Sequence, residues 1–196
     1  MTNSYPVDDI EIVPLSPIFT DIVDLFSCLI PDLEDFVKDD ALRQQDEAVN
    51  FTHLWISKES KILLGYVTLC NDSIGLHGKK KEEMKKIGIS YRKLPALKIC
   101  RMAVHKDFTR RGIGTLMTAF VMKIALKMND VSGCRFITLE AKNLQDLDEK
   151  DKPIHFYRKN GFEILKERKP NPSYIPMYKD LKPIINERRK AKYEIV

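Results

Sequence analysis

Hydrophobic positions along this chain alternate between two periods, that of strands and that of helices. The longest helical stripe is Ile113, Leu116, Met117, Phe120, Val121, Ile124, Ala125 and Met128. Its i, i+3, i+4 spacing predicts an amphipathic helix with one buried face. Before it, Leu97-Lys98-Ile99-Cys100-Arg101-Met102-Ala103-Val104 reads as a strand of β-compatible residues broken by a charge at intervals. The two are joined by a short basic glycine loop, Thr109-Arg110-Arg111-Gly112-Ile113-Gly114-Thr115.

The remaining elements follow from the same patterns. Residues 9–13 suggest a first strand, broken by Pro14 and Pro17. Ile18, Ile22, Val23, Phe26 and Ile30 predict a helix ending before Pro31, and residues 32–45 a second helix with Asp32 as its cap. Residues 51–56 and 62–70 read as a hairpin. A basic insertion follows at 75–93; its 79–86 portion has good helix formers but no apolar face, so it reads as a solvated helix or a disordered stretch. Residues 135–141 predict a strand, 143–153 a polar loop, and Pro153 the start of a helix that carries Tyr157 and stops at Asn160-Gly161. Residues 162–166 and 177–181 close the pattern. The length suits one domain over 1–181 with a basic C-terminal tail at 182–196.

The glycine loop carries the chemistry. A helix start has N–H donors without intrahelical acceptors and the positive end of the dipole, so it binds anions. Gly112 and Gly114 remove the Cβ atoms that would hold a diphosphate off the backbone, and Arg110 and Arg111 add charge. The loop is not a Walker loop, which needs Gly-x-x-x-x-Gly-Lys-Ser/Thr, nor a Rossmann fingerprint, whose third glycine would fall at Met117.

What remains resembles motif A of the GNAT superfamily, the acetyl-CoA-dependent N-acetyltransferases, with Thr109 standing where the family usually has Gln or Arg. His155-Phe156-Tyr157-Arg158-Lys159-Asn160-Gly161-Phe162 resembles that family's late signature. The resemblance implies an α+β fold in α/β/α layers: a central mixed, mostly antiparallel sheet, splayed at the cofactor site and flanked by helices. It implies acetyl-CoA as acyl donor, held by Met102, Ala103 and Val104 on the strand, by Thr109, Arg110, Arg111, Gly112, Ile113, Gly114 and Thr115 in the loop, and by Asn143. It implies Tyr157 as the acid that protonates the leaving thiolate. Glu140, at the end of its strand, is the candidate base.

Charge and cysteines narrow the acceptor and the setting. The net charge of +5 hides an acidic first segment: residues 1–50 hold two basic residues against twelve acidic ones. Residues 78–98 hold eight basic residues against two acidic, and 182–196 five against two. Cys28, Cys70, Cys100 and Cys134 are far apart in sequence and read as free thiols of a reducing cytosol. Neither they nor the four scattered histidines have metal-ligand spacing, so no metal is expected. No apolar run is long enough for a bilayer and the N-terminus lacks a signal-peptide pattern, which points to a cytoplasmic protein without a membrane partner. The order of elements and the sequence 94–104 also resemble the GNAT toxins, which acetylate aminoacyl-tRNA. The acidic first segment favours a cationic small-molecule or peptide amine instead, since negative charge near the acceptor entrance repels RNA. Aminoacyl-tRNA is the alternative acceptor, an inactive acyl-CoA-binding module the second alternative, and a homodimer is compatible with the family.

Overall fold

The computed structural model describes residues 4–144, 152–165 and 172–193. Among the described residues, seven strands hydrogen-bond in one mostly antiparallel sheet, flanked by helices. They are β1 (Ile10–Pro14), β2 (Phe51–Ser57), β3 (Leu63–Ile74), β4 (Leu94–Val104), β5 (Phe136–Lys142), β6 (Glu163–Ile164) and β7 (Tyr174–Asp180), in the order β1-β2-β3-β4-β5-β7-β6. The helices are α1 (Thr20–Asp24), α2 (Pro31–Asp35), α3 (Ala41–Asp46), α4 (Gly78–Lys86), α5 (Ile113–Val131), α6 (Pro153–Lys159) and α7 (Lys182–Tyr193). Two compact units divide the chain, residues 1–70 with 99–121 and residues 71–98 with 122–196.

The first unit is built on a cluster that includes Phe26, Phe36, Val37, Leu54, Ile56, Leu63, Tyr66 and Ala103. The buried Tyr66 hydroxyl donates to the carbonyl of Leu33 at 2.5 Å, which satisfies its polar tip. The predicted 32–45 helix is a continuous run of α2, a π turn at Phe36–Asp40, and α3. Its start is Ile30 with Pro31 at the first turn, so Asp32 lies inside the helix rather than capping it. The predicted 18–30 helix is much shorter, reaching only Asp24. Tertiary bonds explain the loss: the Cys28 N–H donates to Glu34 at 3.1 Å, and the Ser27 carbonyl accepts the Lys106 N–H at 2.9 Å. Those partners hold residues 25–30 out of helical register and leave Leu25 and Leu29 exposed.

Cys70 and Cys100 are neighbours in space, with Sγ atoms 3.1 Å apart, although thirty residues separate them. Pairing of β3 with β4 brings together what the sequence keeps apart.

The second unit packs Ile74, Leu76, Met84, Leu94, Ala96, Phe136 and Tyr178. Met84 belongs to α4, so the basic insertion is a docked helix and not the faceless one its sequence suggests. Burial of a methionine side chain stabilises that docking by about 1.5–3 kcal/mol. Polar bonds reinforce it. Arg135 grips Asp180 with two bonds of 3.0 and 3.1 Å, and Lys80 of α4 reaches the same carboxylate at 3.4 Å. Burial pushes the Asp180 pKa up, but the bonds from Arg135 and the Lys182 N–H outweigh it, and the net shift is down. Residues 182–193, read as a tail, form α7, where Arg188 pairs with Asp130 at 3.0 Å. Most of the 143–153 loop and part of the 162–166 strand lie outside the described residues.

Candidate active site

Strand β4 delivers the chain into the glycine loop. Met102 and Val104 are half-buried and Ala103 is buried. His105 follows, buried between the rings of Phe26 and Phe108, whose centroids are 5.7 and 5.6 Å away. Its Nδ1 accepts the Asp107 N–H at 3.3 Å, and burial lowers its pKa, so the ring is held neutral. A 3-10 turn at Lys106–Phe108 leads to Thr109, whose hydroxyl donates to the Lys106 carbonyl at 3.1 Å. Thr109 therefore shapes the loop from within.

The loop then makes the bend that glycine permits. Arg110 has φ +61° and Gly112 φ +85°, two left-handed residues within three positions. A Cβ built on Gly112 meets no atom within 4 Å, so the space over this backbone is open, as an approaching diphosphate requires. Helix α5 starts at Ile113, with Gly114 and Thr115 in its first turn. The first N–H groups of a helix have no acceptor within it, and here they follow directly on the loop. Ile113, Met117, Val121 and Ala125 are fully buried, four residues apart, and fix the axis of that helix.

Two features of this loop had no signal in its own sequence. The N-terminal segment lies on it: the Tyr5 N–H donates to the Arg111 carbonyl at 2.9 Å, and the Tyr5 ring meets Phe108 edge-on at 5.7 Å. Tyr5 is held in turn by Asp9, which also accepts from Ser57 at 2.7 Å and from the Glu59 N–H at 2.9 Å. Arg111 stacks its guanidinium over Phe108 at 5.3 Å. The second feature is Gly65 in β3, where a Cβ would lie 2.6 Å from the Ala103 carbonyl oxygen. A lone glycine within a strand pattern marks such an approach, so this one was readable outside the loop.

The other three candidates belong to the second unit. Tyr157 lies in α6, buried, with Phe156 and Phe162 edge-on at 5.1 and 5.5 Å. Burial raises its pKa well above the ordinary phenol value, so it keeps its proton throughout the neutral range. Gly161, at φ +80°, ends the helix as its sequence predicts. Glu140 is exposed at the end of β5 and pairs with Lys98 at 3.0 Å. Asn143 spends its side-chain N–H on the Pro172 carbonyl at 3.0 Å and its backbone N–H on Ser173 at 2.8 Å, which ties down the approach to β7. The structure thus gathers the strand end and loop residues into one group, and Glu140, Asn143 and Tyr157 stand on β5, its continuation, and α6.

Among the described residues, no group of three or more His, Cys, Asp or Glu side chains is arranged to hold a metal, and no helix is long and apolar enough to cross a membrane.

Known proteins share this arrangement. Residues 50–164 match the family model of the acetyltransferase (GNAT) domain. No curated protein matches the chain. Among solved structures, a tyrosine-to-phenylalanine mutant of KacT is similar, with TM-score 0.73 and 24% identity over 90% of this chain and 97% of that one. AtaT complexed with acetyl-methionyl-tRNAfMet is similar with TM-score 0.71 and 23% identity, over 90% of this chain and 97% of that one. A mutant AtaT toxin bound to acetyl-CoA and the C-terminus of the antitoxin AtaR gives 0.67 and 20%, over 90% and 96%. At these identities the likeness is one of fold.

Proposed function

The chain belongs to the GNAT acetyltransferase family, and we propose that it moves the acetyl group of acetyl-CoA to the free α-amine of an aminoacyl-tRNA. Acetyl-CoA supplies the activated thioester. The N–H groups at the start of α5 and the open backbone at Gly112 hold its diphosphate, with Arg110 and Arg111 adding charge. Backbone N–H groups at Met102–Val104 polarise the acetyl carbonyl. The acceptor nitrogen bonds to the carbonyl carbon, the carbon–sulfur bond breaks, and Tyr157 gives its proton to the departing sulfur. The nitrogen sheds its proton to water and Tyr157 regains one, so the net products are an amide and free CoA.

The docking of α4 carries the choice of acceptor. The cationic-amine expectation set the acidic first segment against a basic insertion whose flexibility made it weak support for a polyanion. With Met84 buried and Lys80 paired to Asp180, the remaining cations of α4 stand on a fixed helix. The acidic first segment keeps its excess of negative charge, with part of it held in fixed local bonds. Asp9 is engaged by Tyr5, Ser57 and Glu59, Glu34 by Cys28 and Lys38, and Asp40 by Arg43. The fold-level likeness to AtaT, seen with acetyl-methionyl-tRNAfMet, supports the same reading.

The chemistry of the amine agrees. The ordinary α-amine pKa of 7.7–8.0 leaves about a tenth of it neutral at pH 7, whereas a lysine-type amine is neutral fewer than about once in a thousand. The aminoacyl acceptor therefore needs no strong base, which suits a site where Glu140 is already paired with Lys98. Filter binding of aminoacyl-tRNA across a salt series tests the reading. The parent should bind with a steep salt dependence. Replacing Lys79, Lys81, Lys85 and Lys86 by Ala should flatten the log–log slope by roughly 0.7–0.9 for each phosphate no longer neutralised. Binding without salt dependence, or none at all, returns the acceptor to the cationic amines.

A further inference from the structure

The segment between α4 and β4 has a feature that acetyl transfer itself does not use. Ile87 and Tyr91 are 62% and 79% exposed, four residues apart, on a turn made by Gly88 at φ +78°. Exposed apolar residues scattered singly are ordinary, but here two fall within five residues of sequence, flanked by exposed Lys81, Lys85, Lys86, Arg92 and Lys93. Tyr91 also edges a shallow recess floored by Leu76, Met84 and Leu94, with Lys81 and Lys85 on its rim. Those two lysines are one helical turn apart, about 6 Å along the axis. The floor is core and α4 is docked on it, so the ring and both cations are presented on a firm base.

From this we infer that Tyr91 is a stacking platform for an unpaired RNA nucleotide, with Lys81 and Lys85 taking the flanking phosphates. The inference rests on the proposed aminoacyl-tRNA acceptor and gives that RNA a docking point on this chain. An aromatic face ringed by cations matches a single strand, in which flat bases alternate with phosphates. An acidic peptide would satisfy the lysines but has no flat base to cover the ring. A duplex keeps its base faces stacked on one another and cannot offer one to Tyr91. The recess is too shallow to admit a base, so the nucleotide lies against the exposed ring face.

Fluorescence anisotropy with the full chain and a labelled single-stranded RNA oligonucleotide tests this, with the same sequence as a duplex and an oligoglutamate competitor beside it. Tyr91→Ala should weaken single-strand binding about 5- to 150-fold with an unchanged salt slope, the signature of stacking removed without charge. Tyr91→Phe should bind like the parent. Lys81→Ala with Lys85→Ala should lower the log–log salt slope by roughly 1.4. Because Tyr91 is exposed, melting temperatures should match, so a binding loss is not a folding loss. Parental binding by Tyr91→Ala, equal affinity for the duplex, or displacement by oligoglutamate at equal charge would overturn the inference. Acetylation assays separate it from the acceptor proposal. Aminoacyl-tRNA acetylated by the parent while Tyr91→Ala binds RNA normally removes the platform alone. Tyr91-dependent RNA binding without any aminoacyl-tRNA acetylation removes the acceptor alone.

Discussion

Gly65→Ala places one methyl group where β3 packs tightly against the end of β4. The added carbon would lie 2.6 Å from the Ala103 carbonyl oxygen, 3.3 Å from the Val104 Cα and 3.4 Å from the Met117 sulfur. Carbon–oxygen contacts between strands settle at about 3.3–3.6 Å, so the end of β4 must retreat by roughly 0.7 Å or more. Overpacking of this kind costs about 1–3 kcal/mol, while reduced freedom of the unfolded chain returns about 0.4–1 kcal/mol. The net is a loss of about 1–2 kcal/mol, which for a chain of this length lowers Tm by about 2–8 °C. The catalytic effect should be larger than the effect on folding. Ala103 and Val104 carry the N–H groups proposed to polarise the acetyl carbonyl, and misplacing a positioned group by about 1 Å costs on the order of a hundredfold in rate. Thermal melting, paired with release of free CoA thiol assayed well below the transition, measures the two effects together. A fall in kcat/KM of about 10- to 100-fold with a variant still folded is the expected result. Parental kcat/KM in a variant whose Tm has dropped would show that the strand end is not part of the site, and a parental Tm would refute the close approach itself.

Gly114→Val should abolish acetyl-CoA binding in calorimetry with little change in Tm, because a branched side chain fills the helix mouth without entering the core. Tyr157→Phe should lower kcat by about 10²- to 10⁴-fold and leave acetyl-CoA affinity intact, since the ring packing stays and only the proton donor is lost. Tyr5→Ala should raise the Kd for acetyl-CoA more than it lowers kcat, and Tyr5→Phe should do so less, because the edge contact on Phe108 survives in the phenylalanine. The pH profile of kcat/KM with an aminoacyl acceptor should rise with its midpoint near pH 8 and level off about one unit higher, as the α-amine loses its proton. The raised Tyr157 pKa keeps the acid protonated across that range, so no falling limb from Tyr157 should appear below about pH 10. A midpoint near or above about pH 10 would indicate a lysine-type amine.

The elements legible in the sequence are those whose own residues dictate them. The stripe from Ile113 to Met128 needs only its 3.6-residue period, and α5 follows it. Pro153 and Gly161 bracket α6 because one pre-sets the helical φ and the other accepts a left-handed turn. The family is legible for the same reason, since loop and late signature are each local in sequence. What failed was set by distant partners. Residues 25–30 have helical spacing, yet Glu34 and Lys106 hold their backbone elsewhere. One buried methionine decides that α4 docks, which the apolar content of its sequence does not reveal. Cys70 and Cys100 meet only through strand pairing, and the clasp of Tyr5 on Arg111 spans more than a hundred residues. Among the candidate site residues, Glu140 and Asn143 turned out to be engaged by Lys98 and Pro172, partners invisible to motif reasoning.

One reaction tests the central claim most directly. The full chain is mixed with acetyl-CoA and equal concentrations of an aminoacyl-tRNA and a polyamine, and the acetylated products are identified by mass spectrometry after nuclease digestion. The predicted product is an N-acetyl-aminoacyl adenosine, formed about 10²- to 10⁴-fold more slowly when Tyr157 is replaced by Phe, with the polyamine unmodified. Acetyl groups found on the polyamine, with the aminoacyl ester left free, would contradict it.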